Sequence, residues 1–367
     1  MVSDTTTPSG SGCRGICVIM AGGRGTRFWP LSRISRPKQL QALSSGASLL
    51  RDTFTRVRDL VGADRVLVIT SGTLADPTRA ELPELPPENV ICEPVGRNTA
   101  PCAVLGLGVA RRLDPQSPVA LLPADHFIPD GDIFRDQLQA AFELASTRET
   151  VITLGIKPTH AETGYGYIRT EESQDSAGIL TGLEFVEKPD LARAEQYVRS
   201  GRYYWNSGMF VWNPAWFATM AQRHVPEISH LMETPINHFG TAGFAAALEN
   251  AYGQCPAESV DVAVMEKLPG FSLLEASFRW SDLGSWDAWG ELAPDLPGDN
   301  KGIADLLSLD SRGNIVRSKD RLVVLLGVED LIVVDTPDAL LVAQKTDAQR
   351  IKEIIDRLEK DGRDDLL

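Results

Sequence analysis

Residues 22–39, GGRGTRFWPLSRISRPKQ, follow directly on the apolar run ICVIM and bring three glycines and several cations together. Glycines placed just after a buried strand let backbone N–H groups approach an anion. Arginine and lysine then add charge-assisted hydrogen bonds to phosphate oxygens. The stretch is neither GxGxxG nor a P-loop, which disfavours a generic dinucleotide fold and a P-loop ATPase. Its charge favours an anion site over a solvated basic turn. No acidic residue stands between Asp4 and Asp52, whereas Arg14, Arg24, Arg27, Arg33, Arg36, Lys38 and Arg51 do, so this segment carries +7 and the remainder −21.

Further segments offer groups that could act around such an anion. EPVGRNTAP, at residues 93–101, sets Arg97, Asn98 and Thr99 where they could meet a base edge or simply start a helix, with Asn98 as its cap. LLPADHF, at 121–127, places Asp125 and His126 after an apolar run, and DLGSW, at 282–286, offers Asp282. A carboxylate at a strand end beside phosphates suits Mg2+, which takes one or two carboxylates plus substrate oxygens. Each Asp taken alone is equally a turn or cap residue. ETGYGY (162–167), FVEKP (185–189) and WNSGMF (205–210) combine acids, an amide and glycine backbone, the groups that read sugar hydroxyls. Glu187 beside Lys188 also reads as an exposed ion pair.

These groups need a scaffold, and the chain supplies one. Apolar runs alternate with amphipathic segments: Ile16–Met20, a helix over 48–60, a strand over 65–70, a strand over 89–92, a small-residue helix over 98–113, a strand over 119–122, a helix over 133–145 and Val151–Ile156. Alternation of this kind predicts βαβ units in a parallel, doubly wound sheet, with ligands beyond the carboxyl ends of its strands. Mixed signals over 166–280 predict an antiparallel extension of that sheet. A Pro/Gly/Asp-rich stretch at 293–302 precedes short strand-like runs and a terminal helix over 347–358 carrying Ile351, Ile354, Ile355 and Leu358. We therefore expect an α/β catalytic unit over 15–292 and a small β unit with a terminal helix over 300–367. Residues 1–14 are polar and lack an apolar core, so they read as a disordered leader and not as a signal peptide.

Composition narrows the classes. The 367 residues are 43% hydrophobic and 23% charged, with no apolar run approaching a membrane span. A net charge of −14 argues against a nucleic-acid partner. Five cysteines, odd in number and without CxxC spacing, support neither a disulfide framework nor zinc, and a reducing cytoplasm is expected. Trp212, Trp216, Trp280, Trp286 and Trp289 are expected in the core.

The spacing from Gly22 to Gln39 resembles the signature of sugar-nucleotide pyrophosphorylases, and residues 29–33 with Pro37, Lys38 and Gln39 resemble the mannose-1-phosphate guanylyltransferase branch. The resemblance covers residues 15 to about 290 and implies a Rossmann-like nucleotidyltransferase domain of mixed sheet. It also implies a C-terminal left-handed β-helix over residues 300 to 345 that helps form dimers, with the alternative that the terminal helix packs back on the catalytic domain. Implied with it are GTP and mannose 1-phosphate as substrates, GDP-mannose and diphosphate as products, Mg2+ as cofactor, and a cytoplasmic homodimer without a membrane partner. By resemblance, Arg27 and Lys38 are catalytic. Ala21, Gly22, Gly23, Gly25, Thr26, Arg97, Asn98, Thr99 and Asp125 bind nucleotide, and Asp125 with Asp282 binds the metal. Gly164, Glu187, Lys188 and Asn206 bind the sugar phosphate, and His126 is expected in a supporting role. A sugar 1-phosphate, with a second pKa of about 6, is mostly a dianion at neutral pH and attacks without a general base. The chain leaves no room for an isomerase domain, so a single activity is expected. The rivals are transfer to another sugar 1-phosphate, of the GDP-heptose or dTDP/UDP-glucose type, and a catalytically silent regulatory paralogue.

Overall fold

The computed structural model describes residues 15–23, 25–43 and 46–367. The expected leader at 1–14 lies outside the described residues, as does Arg24. In chain order the first half runs β1 (Ile16–Met20), α1 (Leu49–Val61), β2 (Val66–Ser71), α2 (Ala75–Glu81), β3 (Val90–Glu93), α3 (Thr99–Leu113), β4 (Val119–Pro123), α4 (Gly131–Thr147) and β5 (Val151–Ile156). Then come β6 (Tyr167–Thr170), β7 (Leu180–Val186), α5 (Leu191–Ser200), β8 (Tyr203–Trp212), α6 (Pro214–His224), α7 (Pro226–His238), α8 (Phe244–Gln254), α9 (Val260–Ala263), β9 (Phe271–Glu275) and α10 (Trp286–Leu292).

Among the described residues these strands form one sheet in the order β3-β2-β1-β4-β8-β5-β9-β7-β6. The first four are parallel, and β1, β2 and β4 are buried on both faces, as continuous apolar strands between helices must be. One neighbour differs from the expected succession: β5 does not follow β4 in the sheet, because β8 inserts antiparallel between them. Trp212 is the partner of both Val119 and Val151, and Phe210 of both Leu121 and Thr153. The run YYWNSGMFVW is long and apolar enough to be a central strand, but nothing in it names its neighbours.

The helices that cover the sheet are fixed by local chemistry. Ser48 caps α1 by accepting from the Arg51 N–H, and Asn213 caps α6 by accepting from two first-turn N–H groups. One core layer packs α3 and α6–α8 on one face of the sheet, and a second packs α1 and α4 on the other.

The remaining strands, β10 (Asp295–Leu296), β11 (Asn300–Leu309), β12 (Ile315–Leu326), β13 (Leu331–Asp335) and β14 (Leu340–Gln344), make a second sheet in sequence order. The Pro/Gly/Asp-rich stretch therefore already carries β10 and the start of β11. β11, β12 and β13 stack in parallel without intervening helices, the arrangement of a β-helix-like coil. Its corners are held by buried asparagines: Asn314 Nδ2 donates to Asn300 Oδ1 at 2.8 Å, and the Leu331 N–H donates to Asn314 Oδ1 at 2.9 Å.

The last helix, α11 (Ile351–Lys360), turns back onto the catalytic unit. Ile351 and Ile355 are buried in one apolar cluster with Phe28, Trp29, Leu283, Trp286 and Trp289. Trp29 Nε1 donates to Leu366 O at 2.9 Å, and Arg33 pairs with Asp338 at 2.9 Å.

Candidate active site

The glycine loop leaves β1 where three strands end: the Ala21 N–H donates to Ile69 O at 2.8 Å and the Ala124 N–H to Met20 O at 3.0 Å. Its path is held by the buried Gln39 amide, which donates to Ala21 O at 2.9 Å and to Gly22 O and Gly23 O at 3.4 Å. Ser32 Oγ donates to Gly25 O at 2.7 Å. Gly25 has φ 55°, and a Cβ there would stand 2.6 Å from the Lys38 N and Cβ, so only glycine lets the loop lie against Lys38.

Lys38, buried at 7% exposure, joins the two candidate metal ligands. Its ammonium lies 2.7 Å from Asp125 Oδ2, 2.6 Å from Asp282 O and 3.2 Å from Leu283 O. An ammonium has three donors, and all three are engaged here. Burial raises the Asp125 carboxyl, but the Lys38 charge and neighbouring His126 outweigh it and hold the group below its ordinary range. Asp125 follows the end of β4, and Asp282 lies in the segment between β9 and α10. A pair of backbone hydrogen bonds between Phe127 and Ser281, 2.9 and 3.1 Å long, clamps their segments together.

Neighbouring aromatic groups complete this clamp. The Tyr165 hydroxyl donates to Asp282 Oδ1 at 2.7 Å, with its ring edge-on to Trp205 and Trp280. Burial, followed by the Asp282 charge, pushes the phenol well up, so it remains a donor. Trp280 Nε1 donates to His126 Nδ1 at 3.0 Å, which leaves the imidazole proton on Nε2, and burial lowers His126 to about 4. His126 is a neutral supporting group. Together Gly25–Phe28, Lys38, Asp125, His126, Asp282–Gly284 and Lys352 line a cavity of about 380 Å³.

A second set of groups gathers around β8. Asn206 donates through Nδ2 to Asp261 Oδ1 at 2.9 Å, and its Oδ1 accepts from the Gly208 N–H at 2.9 Å. A Cβ on Gly166 would stand 2.7 Å from Glu187 Oε2 and 3.2 Å from Asn206 Cβ, so glycine is what lets the backbone pass against both side chains. Burial, reinforced by Glu187, pushes Asp261 up to about 6. Lys188 is exposed and pairs with Glu187 at 2.5 Å. Gly164 sits at the exposed loop tip with its N–H already donated to Glu162 Oε1 at 2.7 Å.

At the end of β3 the three expected nucleotide contacts have local duties. Arg97 Nε donates to Tyr252 O at 3.0 Å, Asn98 Oδ1 caps α3 by accepting from the Thr99 N–H at 2.8 Å, and Thr99 Oγ1 accepts from the Val260 N–H at 2.9 Å. The group that faces the glycine loop is Glu93. Its Oε1 accepts from the Tyr252 hydroxyl at 2.7 Å, and its Oε2 lies 3.9 Å from where a Gly22 Cβ would stand. Burial pushes Glu93 up to about 7.

Glu93, Tyr165, Gly166 and Asp261 have no role assigned from sequence, and Gln39 enters there only as part of the motif Pro37–Lys38–Gln39. Glu93 carried a signal, an acid closing the apolar run VIC, and Tyr165 and Gly166 lay inside a quoted motif. Asp261, in ESVDVAVMEK, carried none.

Residues 16–297 match the model of the nucleotidyl transferase family, and residues 305–358 that of the MannoseP isomerase/GMP-like beta-helix domain. The mannose-1-phosphate guanylyltransferase of Escherichia coli K12 is 36% identical over 355 residues, spanning 94% of this chain and 74% of that protein. The mannose-1-phosphate guanylyltransferase of Salmonella typhimurium is 37% identical over 356 residues, spanning 95% and 73%. The chain belongs to the nucleotidyl transferase family, in the mannose-1-phosphate guanylyltransferase branch. A crystal structure described as mannose-1-phosphate geranyltransferase from Thermus thermophilus superposes with a TM-score of 0.84 at 34% identity, covering 94% of this chain and 99% of that one.

A nucleotidyl transferase has to hold a polyphosphate in line with an attacking oxygen and neutralise charge as it moves; it needs no covalent help. The geometry supplies a loop of backbone held open by Gln39, a cation-lined cavity, and two carboxylates fixed across it. Among the described residues no three His, Cys, Asp or Glu side chains converge as a metal cage. Lys38 engages one oxygen of Asp125 and Tyr165 one oxygen of Asp282, and carboxylates of this kind could hold a cation whose other ligands would be phosphate oxygens and water. That donor set fits a hard divalent ion. Also among the described residues, no helix is long and apolar enough to cross a membrane.

Proposed function

We propose that the chain catalyses GTP plus α-D-mannose 1-phosphate to GDP-mannose plus diphosphate. A phosphate oxygen of the sugar phosphate attacks the α-phosphorus in line, the α–β anhydride bond breaks, and diphosphate leaves with that bond's electron pair. The observation that supports this reading is the Lys38 tie, which joins Asp125 to the Asp282–Leu283 backbone in the cavity that the glycine loop also lines. Arg27, at the cavity rim, holds the departing phosphates, and Lys38 keeps the two carboxylates in place. Glu187, Asn206 and Asp261 take sugar hydroxyls, and Lys188 takes the sugar phosphate. Ala21, Gly22, Gly23, Gly25 and Thr26 lie along the nucleotide, with Arg97, Asn98 and Thr99 shaping its base end.

Glu93 supports guanine as the base, because its Oε2 offers an acceptor to the N–H donors on guanine's Watson–Crick edge. Mg2+ on Asp125 and Asp282 supplies charge neutralisation at the phosphates when bound. The catalytic unit is proposed to span 15–292 and the β-helix-like unit with its terminal helix 300–367. Exposed apolar register pairs on β11 and β12, Leu307 with Val324 and Leu309 with Leu326, support pairing of two copies. The free cysteines, Cys17, Cys92, Cys102 and Cys255, support a cytoplasmic setting.

A panel of nucleoside triphosphates against sugar 1-phosphates, read by diphosphate release, tests the reaction. GTP with mannose 1-phosphate should be fastest, and a preference for UTP or dTTP overturns the base assignment.

A further inference from the structure

We infer that Lys352, on the C-terminal helix, binds the terminal phosphates of the nucleotide, so that the β-helix-like unit supplies part of the catalytic site. The inference rests on the reading of this cavity as the triphosphate site.

The cations of the cavity, among the described residues, are Arg27, Lys38 and Lys352. Lys38 is spent, since its three donors already serve Asp125 and the carbonyls of Asp282 and Leu283. Arg27 and Lys352 have no hydrogen-bond or ion-pair partner among the described residues. A diphosphate leaving group gathers negative charge beside two carboxylates, and unengaged cations are the groups able to meet it.

The position of Lys352 is set by packing. Ile351 and Ile355, both buried, fix the rotation of α11 against Phe28, the last residue of the short turn carrying Arg27, and Trp29, which follows it. Lys352 follows Ile351 and stands three residues before Ile355, on the flank of the buried stripe that borders the cavity. The Trp29–Leu366 hydrogen bond and the Arg33–Asp338 pair tie the same unit to the segment that follows Arg27. Cations gathered at one cavity repel one another in the free protein, and a bound polyanion turns that cost into attraction.

The test uses the full chain and inorganic pyrophosphate as probe. Its affinity is measured by titration calorimetry, and KM values for pyrophosphate and GDP-mannose are measured in the reverse direction, for wild type, Lys352→Ala and Lys352→Arg. Lys352→Ala should weaken pyrophosphate about tenfold, the loss of one charge-assisted hydrogen bond, while the KM for GDP-mannose moves by less than about twofold. Lys352→Arg should restore most of the affinity, which a merely packing role would not predict. Wild-type pyrophosphate affinity in Lys352→Ala, with turnover of GTP and mannose 1-phosphate in the parent, overturns this inference and leaves the proposed reaction standing. A parent that binds pyrophosphate through Lys352 but does not turn over that pair sustains the inference and removes the proposed reaction.

Discussion

The Tyr165 hydroxyl reaches Asp282 Oδ1 at 2.7 Å, although 117 residues separate the two in sequence. The contact ties the loop that carries Tyr165 and Gly166 to a carboxylate lining the cavity, and it engages one oxygen of Asp282. Groups that orient a ligand carboxylate commonly change metal affinity by about 10–100-fold when removed. Tyr165→Phe should therefore raise the Mg2+ concentration for half-maximal turnover about tenfold with the thermal midpoint little changed. An unaltered Mg2+ titration would show that Asp282 is not oriented this way.

Asp125 and Asp282 should differ in what their loss does to stability. The Asp125 carboxylate neutralises the buried Lys38 ammonium, whereas Asp282 holds Lys38 through its backbone carbonyl. Asp125→Ala leaves that charge without its counter-ion and should cost about 1–3 kcal/mol, between the exposed and buried limits for ion pairs. Asp282→Asn keeps an Oδ1 acceptor for Tyr165, so it should leave denaturant stability within about 1 kcal/mol and remove Mg2+-dependent turnover. Near-parental turnover in Asp282→Asn refutes the metal assignment.

Glu93 gives the protein a pH-dependent term with a definite sign. Its folded-state pKa is raised by burial from 4.5 to about 7, so the folded chain holds this proton more tightly than the unfolded chain does. The stability of the protonated form is fully present below 4.5 and is lost as pH rises through about 7, a change of about 3 kcal/mol. Glu93→Gln keeps an acceptor for Tyr252 but cannot ionise. Urea unfolding between pH 4.5 and 7 should show a steeper decline for the parent than for the variant, and parallel curves would contradict the assignment.

Removing residues 300–367 should do more than change the number of subunits. Trp29, Trp286 and Trp289 share a core with Ile315, Ile332 and Ile351, so the cut uncovers the floor of the active-site loop. A markedly lower melting temperature is expected, and a shortened chain as stable as the parent would refute the shared core. Pairing of copies is better probed by Leu326→Glu, an exposed side chain. Light scattering should then report single chains, and an unchanged mass rules out that face.

Much of the catalytic unit was legible because its signals are local. A buried strand such as ICVIM, the glycines after it and the acid-free basic stretch announce themselves within twenty residues. The Asn98 cap and the exposed Glu187–Lys188 pair, open alternatives in sequence, are both present in the structure. Legibility ended where a residue's partner lay far along the chain. The neighbours of β8, the Tyr165–Asp282 bond and the saturation of Lys38 by residues far along the chain depend on backbone closure.

The sequence by itself determined the alternating α/β scaffold, the glycine loop with its acid-free run of cations, and the positions of Asp125 and Asp282 in the chain, since strand burial, glycine backbone and charge act over short range. Only the tertiary structure decided that Lys38 spends its donors on Asp125 and the Asp282 segment, that Glu93 faces the loop, and that Lys352 enters the cavity. Those outcomes follow from how a nine-stranded sheet and a folded-back helix bring distant backbone together, which no local spacing encodes.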